Sequence, residues 1–145
     1  MRYDKVILNN LFRGARTRWI FAASSVVLCI GIGIYYEDLL RAAVARNPTP
    51  SSVQSVSRGK QLFHHYCEAC HGAEGHGDGP VAASLPKRPE DLTEIAPPPY
   101  FPDGVVGYRI ANGGEVMPAW KTVLSAENIW DLINFIRSLH REKRE

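Results

Sequence analysis

Cys67-Glu68-Ala69-Cys70-His71 (CEACH) is the stretch of the sequence that decides the fold. On a helix, residues three apart lie on one face, so the sulfurs of Cys67 and Cys70 point to the same side. His71 follows at once and can offer an imidazole nitrogen to a metal on that side. This Cys-x-x-Cys-His spacing is the attachment pattern of a c-type haem. The motif therefore predicts one covalently bound haem, with His71 as a ligand of the iron.

Two other uses of the cysteine pair fit the chain less well. A zinc site would need two further ligands in a matching knuckle, and the sequence has no second cysteine pair. A thioredoxin-like redox pair is normally found in a βαβ unit, and no strand pattern of any length is present. The third cysteine, Cys29, lies in an apolar run and is predicted to be a small packing residue.

The second axial position of the iron is assigned to Met117. Met117 lies in a Gly-rich loop, 46 residues after His71 and directly before Pro118. A Met ligand opposite a His ligand raises the reduction potential, which suits an electron carrier. Ligation by two histidines is the second choice, and the remaining histidines are His64, His65, His76 and His140.

Helical patterns cover most of the remaining chain and predict an all-α fold. A first helix is expected from about Ser55 to Cys70, and a short one over residues 105–111 with Asp103 as its cap. The last helix should begin after Ser125 and end near His140. Its apolar stripe consists of Ile129, Leu132, Ile133, Ile136 and Leu139.

An uncharged stretch of eighteen residues, Trp19–Tyr36, precedes this domain. As a helix it would be about 27 Å long, close to the thickness of the bilayer hydrocarbon. Arginines precede the stretch and acidic residues follow it, which places the N-terminus in the cytoplasm. A cleaved signal peptide is the alternative, since Ala43-Val44-Ala45 resembles a cleavage site. An uncleaved anchor is favoured because that site lies far beyond the apolar run.

Four segments are therefore predicted: a cytoplasmic basic tail over 1–18, a transmembrane anchor helix over 19–40, a linker over 41–57 and a haem domain over 58–145. The tail holds five Lys or Arg against one Asp, whereas residues 47–145 hold ten against twelve Asp or Glu. A nucleic-acid footprint would require a basic face on the folded domain. No nucleic-acid partner is therefore expected.

From about Ser57 to Leu139 the sequence resembles a class I monohaem cytochrome c. The matching residues are Gly59, Phe63, the CEACH motif, Gly77-Asp78-Gly79-Pro80, Met117-Pro118 and residues 132–136. The resemblance implies a small cytochrome c fold, in which Gly59 permits a close crossing of the first and last helices at Phe63, Leu132 and Phe135. It also implies that the carbonyl of Pro80 accepts the proton of the second imidazole nitrogen of His71.

Further pocket residues are expected by position. Leu92, Tyr108 and Trp120 are candidates to line the haem pocket, while Arg88, Arg109 and Lys121 could pair with propionates. For each of them, ordinary packing or solvation explains the residue about as well.

Electron transfer is the expected function, with redox proteins as donor and acceptor and the haem domain on the periplasmic side of the inner membrane. The chain would act as a tethered carrier or as a subunit of a larger complex. The alternative is a haem enzyme or a gas-binding protein, which needs an open axial position. A third reading is a mainly structural role, in which the anchor holds a larger assembly together.

Overall fold

A computed structural model describes residues 19–33 and 36–142. Within these ranges the chain forms helices and two short 3-10 turns, and no β-strand. The helices are α1 (Trp19–Gly33), α2 (Glu37–Val44), α3 (Val53–Tyr66), α4 (Glu68–His71), α5 (Asp103–Asn112) and α6 (Ala126–Glu142). The 3-10 turns cover Ala82–Ser84 and Leu92–Glu94. The predicted all-α class is confirmed for this part of the chain.

The described residues divide between Asp38 and Leu39 into two compact units. The first contains α1, whose side chains are all exposed. No single described helix is long and apolar enough to cross a membrane, but α1 and α2 meet the length and composition criteria as a broken pair. The expected continuous helix over 19–40 is therefore not confirmed. Gly31 weakens α1, and the acidic first turn of α2 (Glu37, Asp38) favours a new helix start. The basic tail lies outside the described residues.

The second unit is built on the crossing of α3 and α6. Phe63 and Leu132 are almost completely buried there, and the rings of Phe63 and Phe135 lie 5.1 Å apart. A Cβ atom on Gly59 would overlap the backbone carbonyl of Asp131. The two backbones can therefore meet only because position 59 has no side chain. This crossing is the one that the resemblance implies.

A buried polar network joins the same two helices. The Ser55 hydroxyl donates to the Asp131 carboxylate at 2.6 Å, and the Arg58 guanidinium donates to both carboxylate oxygens, at 2.6 and 3.0 Å. Asn134 in turn donates to the Ser55 hydroxyl at 2.7 Å. Because the Asp131 side chain is fully paired, its burial within the crossing is compatible with a stable core.

The predicted linker over 41–57 is structured over much of its length. Its first residues belong to α2 and its last to α3, which begins at Val53 with Ser52 as its cap. Between them, the Asn47 amide donates to the Trp130 carbonyl at 3.3 Å and to the Asn134 side chain at 3.0 Å. The Pro/Ser composition predicts a flexible chain, but these long-range bonds fix it against α6.

Helices α5 and α6 complete the core and position a Pro-rich loop. α6 begins as expected, since Ser125 and Asn128 cap it reciprocally. Asp103 does not cap α5, because Pro102 occupies the cap position and the Asp103 carboxylate instead accepts from Arg137 at 2.9 Å. The same guanidinium donates to the carbonyls of Ile95, Ala96 and Phe101. One buried arginine thus holds the loop before α5.

Candidate cofactor site

The CEACH motif forms one tight turn after α3 rather than the continuation of that helix. Cys67 ends α3, where its N–H donates to the Phe63 carbonyl at 2.8 Å, and its φ of −119° interrupts the helix. The Cys67 carbonyl then accepts from Cys70 at 3.1 Å and from His71 at 2.9 Å. Both cysteines are free thiols and partly buried. The turn therefore presents two thiols and an imidazole from five consecutive residues.

Burial sets the protonation of two groups in this turn. Desolvation raises the pKa of the Cys67 thiol to about 12, and proximity to Cys70 adds to the effect. Desolvation also lowers the pKa of His71. The imidazole is therefore neutral at neutral pH, which is the state that binds a metal.

A backbone carbonyl fixes the tautomer of His71. Its Nδ1 atom lies 3.4 Å from the carbonyl oxygen of Glu90. Since a carbonyl can only accept, Nδ1 carries the proton and Nε2 keeps its lone pair. Nε2 is thus the nitrogen that can bind iron, and the bond to Glu90 orients the ring.

The carbonyl beside His71 differs from the one that the resemblance implies. Pro80 is exposed, and its segment pairs with the backbone of α4 instead: Gly79 donates to Cys70 at 3.2 Å and Val81 donates to Ala69 at 3.0 Å. Two residues after Glu90, the N–H of Leu92 donates to the Gly75 carbonyl at 2.7 Å. This bond fixes the chain close to the CEACH turn, so the Glu90 carbonyl lies beside the imidazole of His71. Sequence reasoning missed Glu90, since any residue supplies a carbonyl and the contact joins positions 19 apart.

Met117 lies in a closed loop between α5 and α6. Gly113 adopts a φ of +73°, and the Met117 carbonyl accepts from the N–H of Gly114 at 2.9 Å. The Met117 side chain is partly buried and packs against the hydrophobic core, as do Cys67 and Trp120. A hydrogen-bonded turn therefore holds Met117 at the edge of the hydrophobic core. Cys67 packs against the same core.

The other candidate residues have different surroundings. Leu92 is buried in the core, and the ring of Trp120 lies 5.3 Å from that of Tyr66, next to Cys67. Tyr108 instead lines an apolar groove between α2, α5 and α6, with a volume of about 240 Å³. The Arg88 guanidinium donates to the Gly77 carbonyl at 3.1 Å, and the Lys121 amine donates to Asn112 at 3.0 Å. These two cations are thus already bonded within the protein.

The residues of the turn fit a covalently attached haem. Cys67 and Cys70 form no disulfide with each other. The adjacent imidazole of His71 has the tautomer that leaves the lone pair of Nε2 available to a metal. Across the described residues, no group of three His, Cys, Asp or Glu side chains could hold a metal ion by itself.

Known proteins place this domain in a family. No protein with a curated description matches the sequence. A solved structure, a reducing HAO-like protein complex from Kuenenia stuttgartiensis, resembles the chain with a TM-score of 0.55 and 29% sequence identity. That match covers 63% of this chain and 46% of the other, so the chain spans less than half of its neighbour. Residues 54–136, more than half of the chain, match the family model described as cytochrome c oxidase, cbb3-type, subunit III. The chain belongs to this family of cytochrome c domains, which implies haem as the cofactor and supports a role in electron transfer.

Proposed function

We propose that the chain is a membrane-tethered c-type cytochrome that carries one covalent haem and transfers single electrons between redox proteins. The observation that supports it most directly is the turn of Cys67, Cys70 and His71, in which the Glu90 carbonyl leaves Nε2 of the imidazole free. Two thiols and one oriented imidazole within five residues suit the attachment of one porphyrin.

Each residue of the site has a separate task in this proposal. Cys67 and Cys70 would bind the haem through thioethers, and His71 and Met117 would be the axial ligands of its iron. When bound, the haem supplies the redox chemistry by alternating between Fe(II) and Fe(III). The chain itself contributes an imidazole ring and a Met117 backbone that are held by hydrogen bonds, which limits the reorganisation that accompanies electron transfer.

Membrane attachment is the second part of the proposal. The apolar side chains of α1 are exposed in the described structure, and its flanks carry basic residues before and acidic residues after. An N-terminus in the cytoplasm and a haem domain in the periplasm would follow from that asymmetry. Cysteine-directed labelling of Val53→Cys from outside intact spheroplasts, with Cys29 replaced by Ser, tests this orientation. Labelling only after lysis would contradict it.

The partners would be redox proteins at the outer face of the inner membrane. The neighbour from Kuenenia stuttgartiensis is a protein complex, which is consistent with a place for this chain in a larger assembly. Either a tethered carrier or a subunit of such a complex agrees with the site. Purification from its native membrane, followed by identification of the proteins that co-migrate, separates the two.

Covalent attachment is tested on the full chain expressed with a cytochrome c maturation system. A haem-stained denaturing gel should show one band for the unaltered protein and none for Cys67→Ser with Cys70→Ser. Cys29→Ser is the matched control and should keep the stain. Haem that stays on the gel without Cys67 and Cys70 would overturn the assignment of these thiols.

The axial ligand separates electron transfer from the haem-enzyme alternative. Met117→Ala should lower the reduction potential and allow the reduced protein to bind CO, because a thioether ligand raises the potential and occupies the sixth position. Val123→Ala, an exposed apolar residue six positions later, is the control and should leave both unchanged. Ready CO binding by the unaltered protein would instead favour an open axial site.

A further inference from the structure

From Leu39 onward, helix α2 belongs to the same compact unit as the haem domain, and its end contacts the start of α5. A Cβ atom on Gly104 would overlap the carbonyl of Ala42 and lie 2.8 Å from the Cβ of Ala45. Such a close approach of two backbones requires a glycine at position 104. Ala42 and Ala45 are partly buried as a result.

The chain between α2 and α3 is fixed to the same domain by a second set of contacts. The side-chain oxygen of Asn47 accepts from the N–H of Thr49 at 2.8 Å. The backbone carbonyl of Thr49 accepts from the side-chain amide of Asn134 at 3.2 Å. Together with the bonds from Asn47 to α6, these contacts leave little freedom between α2 and α3. Any surface that binds α2 therefore also positions the haem domain.

The far side of α2 exposes two apolar side chains, with Glu37 beside them at the start of the helix. Leu40 and Val44 lie one turn apart and have exposed fractions of 60% and 79%. At 3.6 residues per turn, Leu40 points about 160° away from Ala42, which contacts α5. One face of α2 therefore packs against the haem domain, and the opposite face exposes Leu40 and Val44, which we call the apolar strip.

The covering surface is indicated by the chain that precedes α2. α1 is apolar and exposed throughout, and α2 starts four residues after it ends. Taken together, the two helices meet the criteria for a membrane span by length and composition. However, α2 carries Glu37, Asp38 and Arg41, which are costly in the hydrocarbon core and well tolerated among lipid headgroups.

We infer that α2 lies in the lipid headgroup region with Leu40 and Val44 turned towards the acyl chains, and that the haem domain sits on its opposite side. This inference rests on the proposed membrane tether. It adds that the haem domain is held at the membrane surface in one orientation instead of moving on a flexible linker. A redox partner must then present its own cofactor close to the same surface.

Spin labels on the full, haem-containing chain in phosphatidylcholine nanodiscs test the inference. A nitroxide is attached in turn at Val44→Cys, Val26→Cys and Glu115→Cys, with Cys29 replaced by Ser and the haem reduced. Glu115 lies three residues beyond Asn112, the end of α5 that is about 12 Å along the helix from Gly104, and serves as the aqueous control. Accessibility is measured to oxygen, which enters lipid, and to a water-soluble nickel complex.

Labels at 26 and 44 should be accessible mainly to oxygen, and the label at 115 mainly to nickel. A label at 44 that behaves like 115, while 26 stays in lipid, would overturn the inference and leave the tether intact. If the label at 26 is also aqueous, the tether itself is wrong.

A second measurement examines the apolar strip directly. Leu40→Ser with Val44→Ser should shift a label at Ala43→Cys from oxygen towards nickel accessibility, while a label at 26 remains in lipid. The matched control removes equally exposed apolar groups elsewhere, at Val53→Ser and Val123→Ser, and should leave the label at 43 unchanged. An equal shift in the control, or none in the strip variant, would contradict a specific contact of α2 with lipid.

Discussion

The crossing of α3 and α6 and the loops that carry the proposed haem ligands are built from different interactions. At the crossing, particular side chains decide the geometry: Gly59, Phe63 and the carboxylate of Asp131. In the loops, the main chain does most of the bonding, as in the contacts from Leu92 to Gly75 and from Gly114 to Met117. The crossing therefore determines whether the domain folds, whereas the loops determine how the proposed iron ligands, His71 and Met117, are held.

This difference predicts two classes of variant. Changes at the crossing should reduce the free energy of unfolding and leave the reduction potential of the folded protein almost unchanged. Changes in the loops should shift the potential at a small cost in stability.

Gly59→Ala should have the largest effect of these variants, because it adds a methyl group at the crossing of α3 and α6. The new Cβ would overlap the backbone of α6, which cannot move aside as a flexible side chain could. We expect a loss of about 3 kcal/mol in the free energy of unfolding, measured by guanidinium denaturation. Gly107→Ala is the control, because its Cβ would meet only side-chain atoms at 3.3 Å and beyond. Equal losses at both positions would disprove a special role for the crossing.

Asp131→Asn should destabilise the domain by about 2 kcal/mol, since the amide cannot accept from Ser55 and from Arg58 through both oxygens. The exposed Glu127→Gln, one turn earlier on α6, is the control and should change little. If Asp131→Asn also moved the reduction potential by as much as a loop variant, the proposed separation of the two regions would be wrong.

The same difference explains which features could be predicted from the sequence. The stripe on α6 and the glycine at the crossing are local patterns of side chains, and the structure agrees with both. The partner of His71 is a main-chain carbonyl, which no residue type marks. The role of Arg137 was missed because its four acceptors are spread over residues 95–103, and all but one are carbonyls.

The stretch between α2 and α3 is another feature that amino-acid composition does not predict. Pro and Ser residues between α2 and α3 indicate a flexible linker, but the Asn47 side chain and the Thr49 carbonyl fix that stretch to α6. The motif of Cys67, Cys70 and His71 could be predicted directly from its spacing. The interruption of the helix at Cys67 could not be predicted, because the spacing of apolar residues along a helix does not show that one residue has a φ of −119°.

Gly113→Ala should shift the potential as well as lower the stability. Its φ of +73° is unfavourable for alanine, which costs about 1 kcal/mol, and the new Cβ would overlap the Met117 carbonyl and so disturb the turn that closes on Met117. We expect a lower reduction potential and a measurable rate of CO binding, because the thioether is held less firmly. Gly114→Ala, with no positive φ, is the neighbouring control. An unchanged potential with lost stability would place Gly113 among the structural residues instead.

Asp91 should produce the smallest effect, and only at acid pH. Hydrogen bonds from Thr93 hold its pKa below the ordinary value of 3.8, and His76 adds to the effect. Because the folded state binds this proton more weakly than the unfolded chain, Asp91 stabilises the fold above pH 3.8, and that contribution disappears as the pH falls through its lowered pKa. Asp91→Asn should therefore be slightly less stable than the unaltered protein at neutral pH, and the difference should vanish in acid. Denaturation curves across this range measure it, with Glu74→Gln as a control for surface charge. A difference that is constant with pH would show that the charge of the Asp91 carboxylate does not contribute to its hydrogen bonds with Thr93, and that only the shape of the side chain matters.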